Sequence, residues 1–272
     1  MKKLFLPVLL AVPLFSLTAQ EKSLNVMSLN GATGLYVVPT ARIGFADASM
    51  GFNAGYHTNI YKPFGKGDTG INHLIQANFS FLKMFEVSGT FDVQPKDAMG
   101  KDPNDLLAGF KFQLPFVTIP VAVGSNFQYR NMGRENTDHW AVQIYGAVTY
   151  QADLLGWPAE TTLVIGHTIL EEKGSSNIDF GVGFDLVIFP KYLQSFLHLL
   201  IDYANFSYSA DPWGANADYR GILNTGLRLD LAQIPALSKF NFAVDIYMAD
   251  AFDDRDIGGR SFGVGTTFGL KF

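Results

Sequence analysis

Apolar and polar residues alternate strictly over the end of the chain. The even positions from Phe262 to Phe272 carry apolar side chains or threonine, and the odd positions carry glycine, threonine or lysine. A period of two predicts a β-strand with one apolar and one polar face. Similar alternation recurs in eleven further segments, at 49–56, 71–81, 85–93, 109–114, 121–129, 140–150, 161–169, 178–188, 195–207, 223–231 and 240–249. Two are less regular, because His167 shares an apolar face and 195–207 is apolar on both faces.

Charged residues on the polar faces decide which side of the sheet is outside. A one-residue slip would exchange the faces. It would move five charges to the apolar side: Asp179, Asp185, Arg228, Asp230 and Asp245. In hydrocarbon, an arginine near the midplane costs roughly 2–4 kcal/mol and an aspartate somewhat less. Together these costs would exceed a typical stability of about 5–15 kcal/mol. The apolar face is therefore predicted to contact lipid, or the core of a sandwich.

The connections between the segments alternate in kind. Long polar connections lie at 58–70, 95–105, 131–138, 170–177, 208–218 and 252–260. Short or more apolar ones lie at 82–84, 115–118, 153–158, 190–193 and 232–237. Short periplasmic turns and longer outer loops are typical of transmembrane barrels. The pattern predicts an all-β fold: an antiparallel up-and-down transmembrane β-barrel of about twelve strands.

The composition favours lipid over a soluble core. Charged residues make up 17% of the chain, against about 25% in soluble domains. Aromatic residues fall near the ends of the predicted strands, where interfacial girdles lie. The alternative, a soluble β-sandwich, would be large for about twelve strands of roughly ten residues. The net charge of −5 offers no basic stripe, so nucleic acid is not a predicted partner.

The first residues predict export. Lys2 and Lys3 precede an apolar run at 4–17, and Ala19 precedes a plausible cleavage point. This arrangement predicts a cleaved signal peptide over 1–19. A transmembrane anchor is the alternative, but the run is shorter than the roughly 20 apolar residues a spanning helix needs and contains prolines. A barrel at 47–272 would then lie in the outer membrane.

Residues 20–46 do not follow the strand rhythm. Pro39 cannot donate to a sheet ladder, and Gly31 and Gly34 permit close backbone approach. The segment is predicted to be either a luminal plug, with Arg42 pairing a carboxylate of the barrel interior, or a periplasmic lead-in. The sequence leaves both alternatives open.

Part of this segment resembles a known family. The stretch is similar to the "GL…TPTAR" motif of YjbH-type outer-membrane proteins, with Val38 where the family commonly has threonine. The matching residues are Gly34, Leu35, Pro39, Thr40, Ala41 and Arg42. The resemblance covers about a dozen residues and implies an exported β-barrel associated with exopolysaccharide production, with polysaccharide as its partner.

The last strand resembles the closing strand of bacterial outer-membrane barrels, in which a terminal aromatic residue serves as an assembly signal. Phe268, Leu270 and Phe272 occupy the corresponding positions. The resemblance implies two partners, the barrel-assembly machinery and the outer-membrane lipid.

The predicted inner face carries charges of both signs. The lumen-lining candidates are Glu86, Asp92, Lys111, Asp179, Asp185, Arg220, Arg228, Asp230 and Asp245. Such residues set selectivity in pores, although mixed charges also pair structurally. A twelve-stranded barrel is narrow, so a channel would pass small solutes or be plugged. Glycine pairs such as Gly181 and Gly183 would leave room inside.

The histidines offer little for catalysis. His57 and His167 lie near strand ends as the best candidates for an interfacial lipid-modifying enzyme, but no serine motif stands beside either. No metal-ligand spacing is present, and no cofactor or metal is predicted. The leading prediction is a non-enzymatic narrow pore or export-associated barrel that transports small solutes or polysaccharide. A structural or surface-binding barrel acting through its outer loops is the second alternative, and the enzyme is the third.

Overall fold

β-strands make up most of the part of the chain that the structure describes. The computed structural model describes residues 26–61, 69–94, 104–115, 117–131, 139–154, 156–171, 174–206, 221–237, 240–252 and 260–272. The predicted signal peptide and Arg220 lie outside these residues, as does most of every long polar connection except 170–177, of which only 172–173 lie outside. No helix in the described ranges is long and apolar enough to cross a membrane.

Twelve strands make up the sheet. Their bounds are β1 (Met50–Tyr61), β2 (Gly70–Phe81), β3 (Phe85–Val93), β4 (Asn104–Gln113), β5 (Val121–Asn131), β6 (His139–Leu154), β7 (Trp157–Leu170), β8 (Gly174–Val187), β9 (Leu197–Ala204), β10 (Ile222–Asp230), β11 (Phe240–Ala249) and β12 (Ser261–Lys271). A one-turn helix, α1 (Pro190–Leu193), precedes β9, and two 3₁₀ turns (Leu231–Gln233 and Pro235–Leu237) precede β11.

The strands form one closed barrel in which each strand pairs with its sequence neighbours, and β1 closes on β12. Every pairing is antiparallel; at the closure, Gly51 lies opposite Lys271 and Ile60 opposite Phe262. Closure leaves no open sheet edge, which is the condition for a β-structure to cross lipid. The predicted all-β, up-and-down barrel of about twelve strands is confirmed.

The outer face carries the apolar positions that the alternation predicts. Large side chains exposed there include Phe52, Ile75, Val87, Phe127, Ile144, Ile165, Phe180, Ile246 and Val264. The positions between them are buried, as the alternating burial of β2 illustrates. Ile188 differs from expectation and is buried, because β8 ends at Val187 and the alternation ends with it. An aliphatic and aromatic exterior suits lipid contact.

The interior is filled by residues 26–45, which we call the luminal segment. All are buried except the partly buried Arg42. Its two β-bridges, Met27 with Thr33 and Gly34 with Pro39, lie within the segment itself. Its apolar side chains join one buried cluster with inward-facing residues of the barrel, including Leu74, Leu107, Tyr145, Val164, Leu200 and Tyr247. The luminal segment therefore packs against the barrel wall without joining its sheet.

Candidate functional site

An ion pair between two neighbouring strands holds the middle of the luminal segment. Glu86 on β3 and Lys111 on β4 are buried, and the lysine Nζ lies 2.9 Å from Glu86 Oε1. The two carboxylate oxygens accept the backbone N–H groups of Thr33 and Gly44, each at 2.9 Å. Lys111 Nζ also donates to the carbonyls of Thr33, at 2.9 Å, and Thr40, at 3.2 Å. Because both charges are buried, these bonds to the segment complete their solvation.

A single carboxylate on β9 binds the turn that follows. Asp202 Oδ2 accepts three consecutive backbone N–H groups, from Tyr36 at 2.9 Å, Val37 at 2.7 Å and Val38 at 3.1 Å. Asn224 Nδ2 donates to its other oxygen at 2.6 Å. Successive amides that converge on one anion form a nest, here occupied by a side chain of the barrel wall.

A second ion pair lies beside this nest. Arg228 Nε on β10 donates to Asp245 Oδ1 on β11 at 2.7 Å, and its Nη1 donates to the carbonyl of Gly34 at 3.3 Å. The Tyr36 ring stacks on Tyr247 with centroids 4.8 Å apart, and the guanidinium carbon lies 5.9 Å from the Tyr36 centroid. Burial, reinforced by the Asp245 carboxylate, raises the pKa of Tyr36 well above its ordinary value. The phenol is therefore neutral at physiological pH.

His57 takes part in the same network and does not face lipid. Gln76 Nε2 donates to the carbonyls of Ser28, at 2.7 Å, and Leu29, at 2.8 Å. Since the amide nitrogen is engaged there, Gln76 Oε1 accepts from His57 Nδ1 at 2.6 Å. His57 Nε2 lies 3.4 Å from Asp245 Oδ2. This arrangement makes His57 a buried link between luminal segment and wall, and it is a poor position for interfacial lipid chemistry.

The residues of the sequence motif form a turn that also contacts the wall. Gly34 and Pro39 form a bridge, and Leu35 N donates to the carbonyl of Val38 at 3.0 Å, so the motif makes a tight turn. The Leu35 side chain occupies the space where Gly183 lacks a Cβ, and an alanine there would overlap it. This close approach explains why residue 183 of β8 is a glycine.

The end of the motif is fixed to β6 and β7. Ala41 N donates to Thr149 Oγ1 at 2.8 Å. Arg42 Nη2 lies 2.8 Å from Glu160 Oε1, and both side chains are largely buried. The structure thus pairs Arg42 with a carboxylate of the barrel wall. Glu160 and Asp202 were absent from the sequence-based candidates, although the alternation of Leu199, Ile201 and Tyr203 would have placed Asp202 inside.

Other predicted lumen-lining residues face inward and bind side chains of the wall. Asp92 Oδ1 accepts from Asn72 Nδ2 at 2.8 Å, and Gln94 Nε2 lies 3.3 Å from one oxygen each of Asp92 and Asp105. Gln128 Nε2 also donates to Asp105, at 3.1 Å. Asp105 was likewise not among the predicted candidates, because it precedes the alternating segment that begins at 109.

Three further candidates lie along the same inner face. Asp179 accepts from Gln143 Nε2 at 2.7 Å and Thr168 Oγ1 at 2.5 Å. Asp185 Oδ1 lies 2.6 Å from His198 Nδ1. Asp230 accepts the backbone N–H of Ala232 at 2.9 Å and caps the 3₁₀ turn after β10. Arg220 lies outside the described residues. Within them, no group of three or more histidine, cysteine or acidic residues is arranged to hold a metal.

The predicted assembly signal lies on the outer face at the barrel closure. Phe268 is exposed and stacks on Phe240 with centroids 5.4 Å apart. Phe272 is exposed, and its backbone N–H donates to the carbonyl of Met50 at 2.9 Å. Leu270, between them, lies opposite Phe52 and Phe240. Recognition of these residues by the assembly machinery stays a prediction.

A closed antiparallel barrel with an apolar exterior and a charged interior defines an outer-membrane β-barrel. The predicted location in the outer membrane follows from this fold, with lipid as the partner of the outer face. No family model matches the chain, and no curated relative matches its sequence.

Several solved outer-membrane barrels are similar to this one. The KdgM porin has 7% identity and a TM-score of 0.46, with 81% of this chain and 99% of that chain covered. Omp33 of Acinetobacter baumannii has 10% identity and a TM-score of 0.45, with 81% and 97% covered. The outer membrane phospholipase A of Escherichia coli has 11% identity and a TM-score of 0.42, with 81% and 96% covered. These values are too low to transfer a function to this chain.

Proposed function

We propose that this protein is a narrow pore of the outer membrane whose lumen the luminal segment closes. The observation that carries the proposal is the attachment of residues 26–45 inside a complete barrel. Side-chain hydrogen bonds and ion pairs bind the segment to the wall, and its own β-bridges are internal. Its departure would therefore leave every strand pairing of the barrel intact.

The size of the barrel favours small solutes. An interior of twelve strands falls between the filled eight-stranded case and the open sixteen-stranded one. The resemblance of the 34–42 stretch to YjbH-type proteins supports a role in polysaccharide export, in which case partner proteins would provide the remaining path. A purely structural or surface-binding barrel is the alternative that a conductance measurement separates from a pore.

A reversible cross-link tests whether the segment closes the lumen. The chain has no cysteine, so the double variant Leu35→Cys/Gly183→Cys introduces the only pair. A Cβ at position 183 would lie 3.4 Å from the Leu35 Cγ, whose place the sulfur of a cysteine at position 35 would take. The two introduced side chains are therefore close enough for oxidation to join them. The full-length variant, refolded into planar bilayers, is expected to show no open events when oxidised and to conduct after reduction.

Controls separate gating from damage to the barrel. Each single cysteine variant should conduct equally under oxidising and reducing conditions, and retained heat-modifiable migration on gels should report a folded barrel. Equal currents from the oxidised and reduced double variant would contradict closure by the segment. Silence of the wild type and of the reduced variant would contradict the pore itself and favour a structural barrel.

A further inference from the structure

Carboxylates greatly outnumber cations on the inner face of the described barrel wall. At least nine carboxylates face inward. They belong to Glu86, Asp92, Asp105, Glu160, Asp179, Asp185, Asp202, Asp230 and Asp245. The arginine and lysine side chains described on that face are Lys111 and Arg228. Arg130 occupies the backbone position opposite Asp105, but its side chain lies outside the described part of the chain. Even a third cation there would leave the wall strongly acidic.

The two wall cations are already matched. Lys111 pairs with Glu86, and Arg228 pairs with Asp245. Each pair contributes no net charge, so the remaining carboxylates set the sign of the interior. His57 and His198 each lie beside an aspartate, Asp245 and Asp185, and even with both protonated the carboxylates remain in excess.

The luminal segment supplies part of what these carboxylates bind. Asp202 accepts three of its backbone N–H groups, Glu86 accepts two, and Glu160 pairs with Arg42. The donors leave with the segment when it departs. A lumen opened in this way would expose carboxylates whose partners had been peptide amides and one plug arginine, and their charge would face water.

We propose that the open lumen conducts cations in preference to anions, a selectivity that rests on the proposed pore function. A narrow passage lined by one sign of charge concentrates counter-ions and repels co-ions. The solute class favoured is therefore inorganic cations and small cationic or neutral molecules. Anionic oligosaccharides would enter poorly.

The test uses a full-length variant with a loosened segment and an unchanged charge. Leu35→Ala/Tyr36→Ala removes two side chains that contact the wall. The Leu35 side chain packs against Gly183, and the Tyr36 ring stacks on the Tyr247 ring. The matched control is Leu163→Ala/Tyr150→Ala, at an exposed position of β7 and a half-buried position of β6 that alternates with the buried Thr149. This control should leave the wild-type current unchanged. Reversal potentials in a potassium chloride gradient are expected to give potassium a permeability roughly ten times that of chloride.

Neutralising wall carboxylates should lower this ratio. Asp179→Asn and Asp230→Asn remove two charges that bind residues of the wall and of the turn after β10, so the contacts that hold the luminal segment are kept. Asp47→Asn, at an exposed pair with Lys271, is the control and should leave the ratio unchanged. Higher ionic strength should lower the ratio in all of the variants, because salt screens charges.

The outcomes distinguish the two proposals. Current with equal permeabilities, or with a preference for chloride, overturns the selectivity and leaves the pore standing. A preference for potassium that survives Asp179→Asn and Asp230→Asn also overturns the assignment to the wall carboxylates. Silence of the folded loosened variant and the wild type overturns the pore and the selectivity with it.

Discussion

The two faces of this barrel obey different rules. On the outer face, aliphatic and aromatic residues repeat along every strand, and each meets the same surroundings as its neighbours. On the inner face, Asp202 binds three particular amides and Lys111 binds two particular carbonyls. Lipid accepts any apolar side chain of suitable size, whereas the luminal segment requires individual residues at individual positions. On the outer face, one apolar residue should therefore replace another with little loss of stability. On the inner face, a substitution should be tolerated only where it keeps the contacts of the residue it replaces.

The largest effect is expected from Lys111→Met. The substitution leaves Glu86 as a buried charge without its cation and leaves the carbonyls of Thr33 and Thr40 without a donor. Breaking a buried pair in this way costs about 3–5 kcal/mol. The free energy of unfolding, measured by urea titration in lipid vesicles, should fall by that amount.

The double variant Glu86→Gln/Lys111→Met tests the reason for this loss. Its glutamine is neutral, so much of the stability should return if the unpaired charge was the cause. A loss that persists unchanged in the double variant would mean that the lysine acts through its bonds to the segment carbonyls. A single variant as stable as the wild type would show that the inner face is as tolerant as the outer one.

Ile165→Arg should give the next largest effect and concerns the outer face. Ile165 is exposed on β7 between Gly146 and Phe180 of the neighbouring strands. An arginine near the membrane midplane costs roughly 2–4 kcal/mol. The same vesicle titration measures this cost, and Ile165→Leu is the control expected to change little. A negligible cost for the arginine would show that this face does not meet hydrocarbon.

The outer face is the part of the fold that the sequence predicts well. Every strand alternates its side chains between the two faces, and every strand contacts lipid on one of them. The sequence of a single strand therefore shows which residues face outward, and the neighbouring strands are not needed for this prediction. The alternation of long and short connections then gives the strand number and the antiparallel order. The inner positions are less uniformly polar than the outer ones are apolar. Leu74 on β2, Leu107 on β4 and Leu200 on β9 are apolar and buried on the inner face.

The inner face could be predicted only in part. Glu86 and Lys111 lie at inward positions by parity, but their bonds to Thr33 join residues more than fifty positions apart. Leu200, the buried apolar residue on the inner face of β9, also depends on the luminal segment, because both belong to the same buried cluster. Periodicity contains no information on such contacts, and for that reason the sequence alone does not distinguish a plug from a periplasmic lead-in.

The smallest effect compares two glycines, one on each face. An alanine Cβ at Gly183 would overlap the Leu35 side chain, whereas at Gly146 it would meet only the carbonyl oxygen of Ala122, at 4.0 Å. Overpacking of the first kind costs about 1–3 kcal/mol, while replacing a strand glycine by alanine in open space stabilises by roughly 0.5–1 kcal/mol. Gly183→Ala should therefore destabilise the barrel and increase protease access to the luminal segment, and Gly146→Ala should do neither.

Adding Leu35→Val to Gly183→Ala should recover part of the loss, because the shorter side chain frees the space that the new methyl group takes. Equal effects of the two alanines would show that the inner wall is not fitted to the segment, and the contrast between the faces would then rest on charge alone.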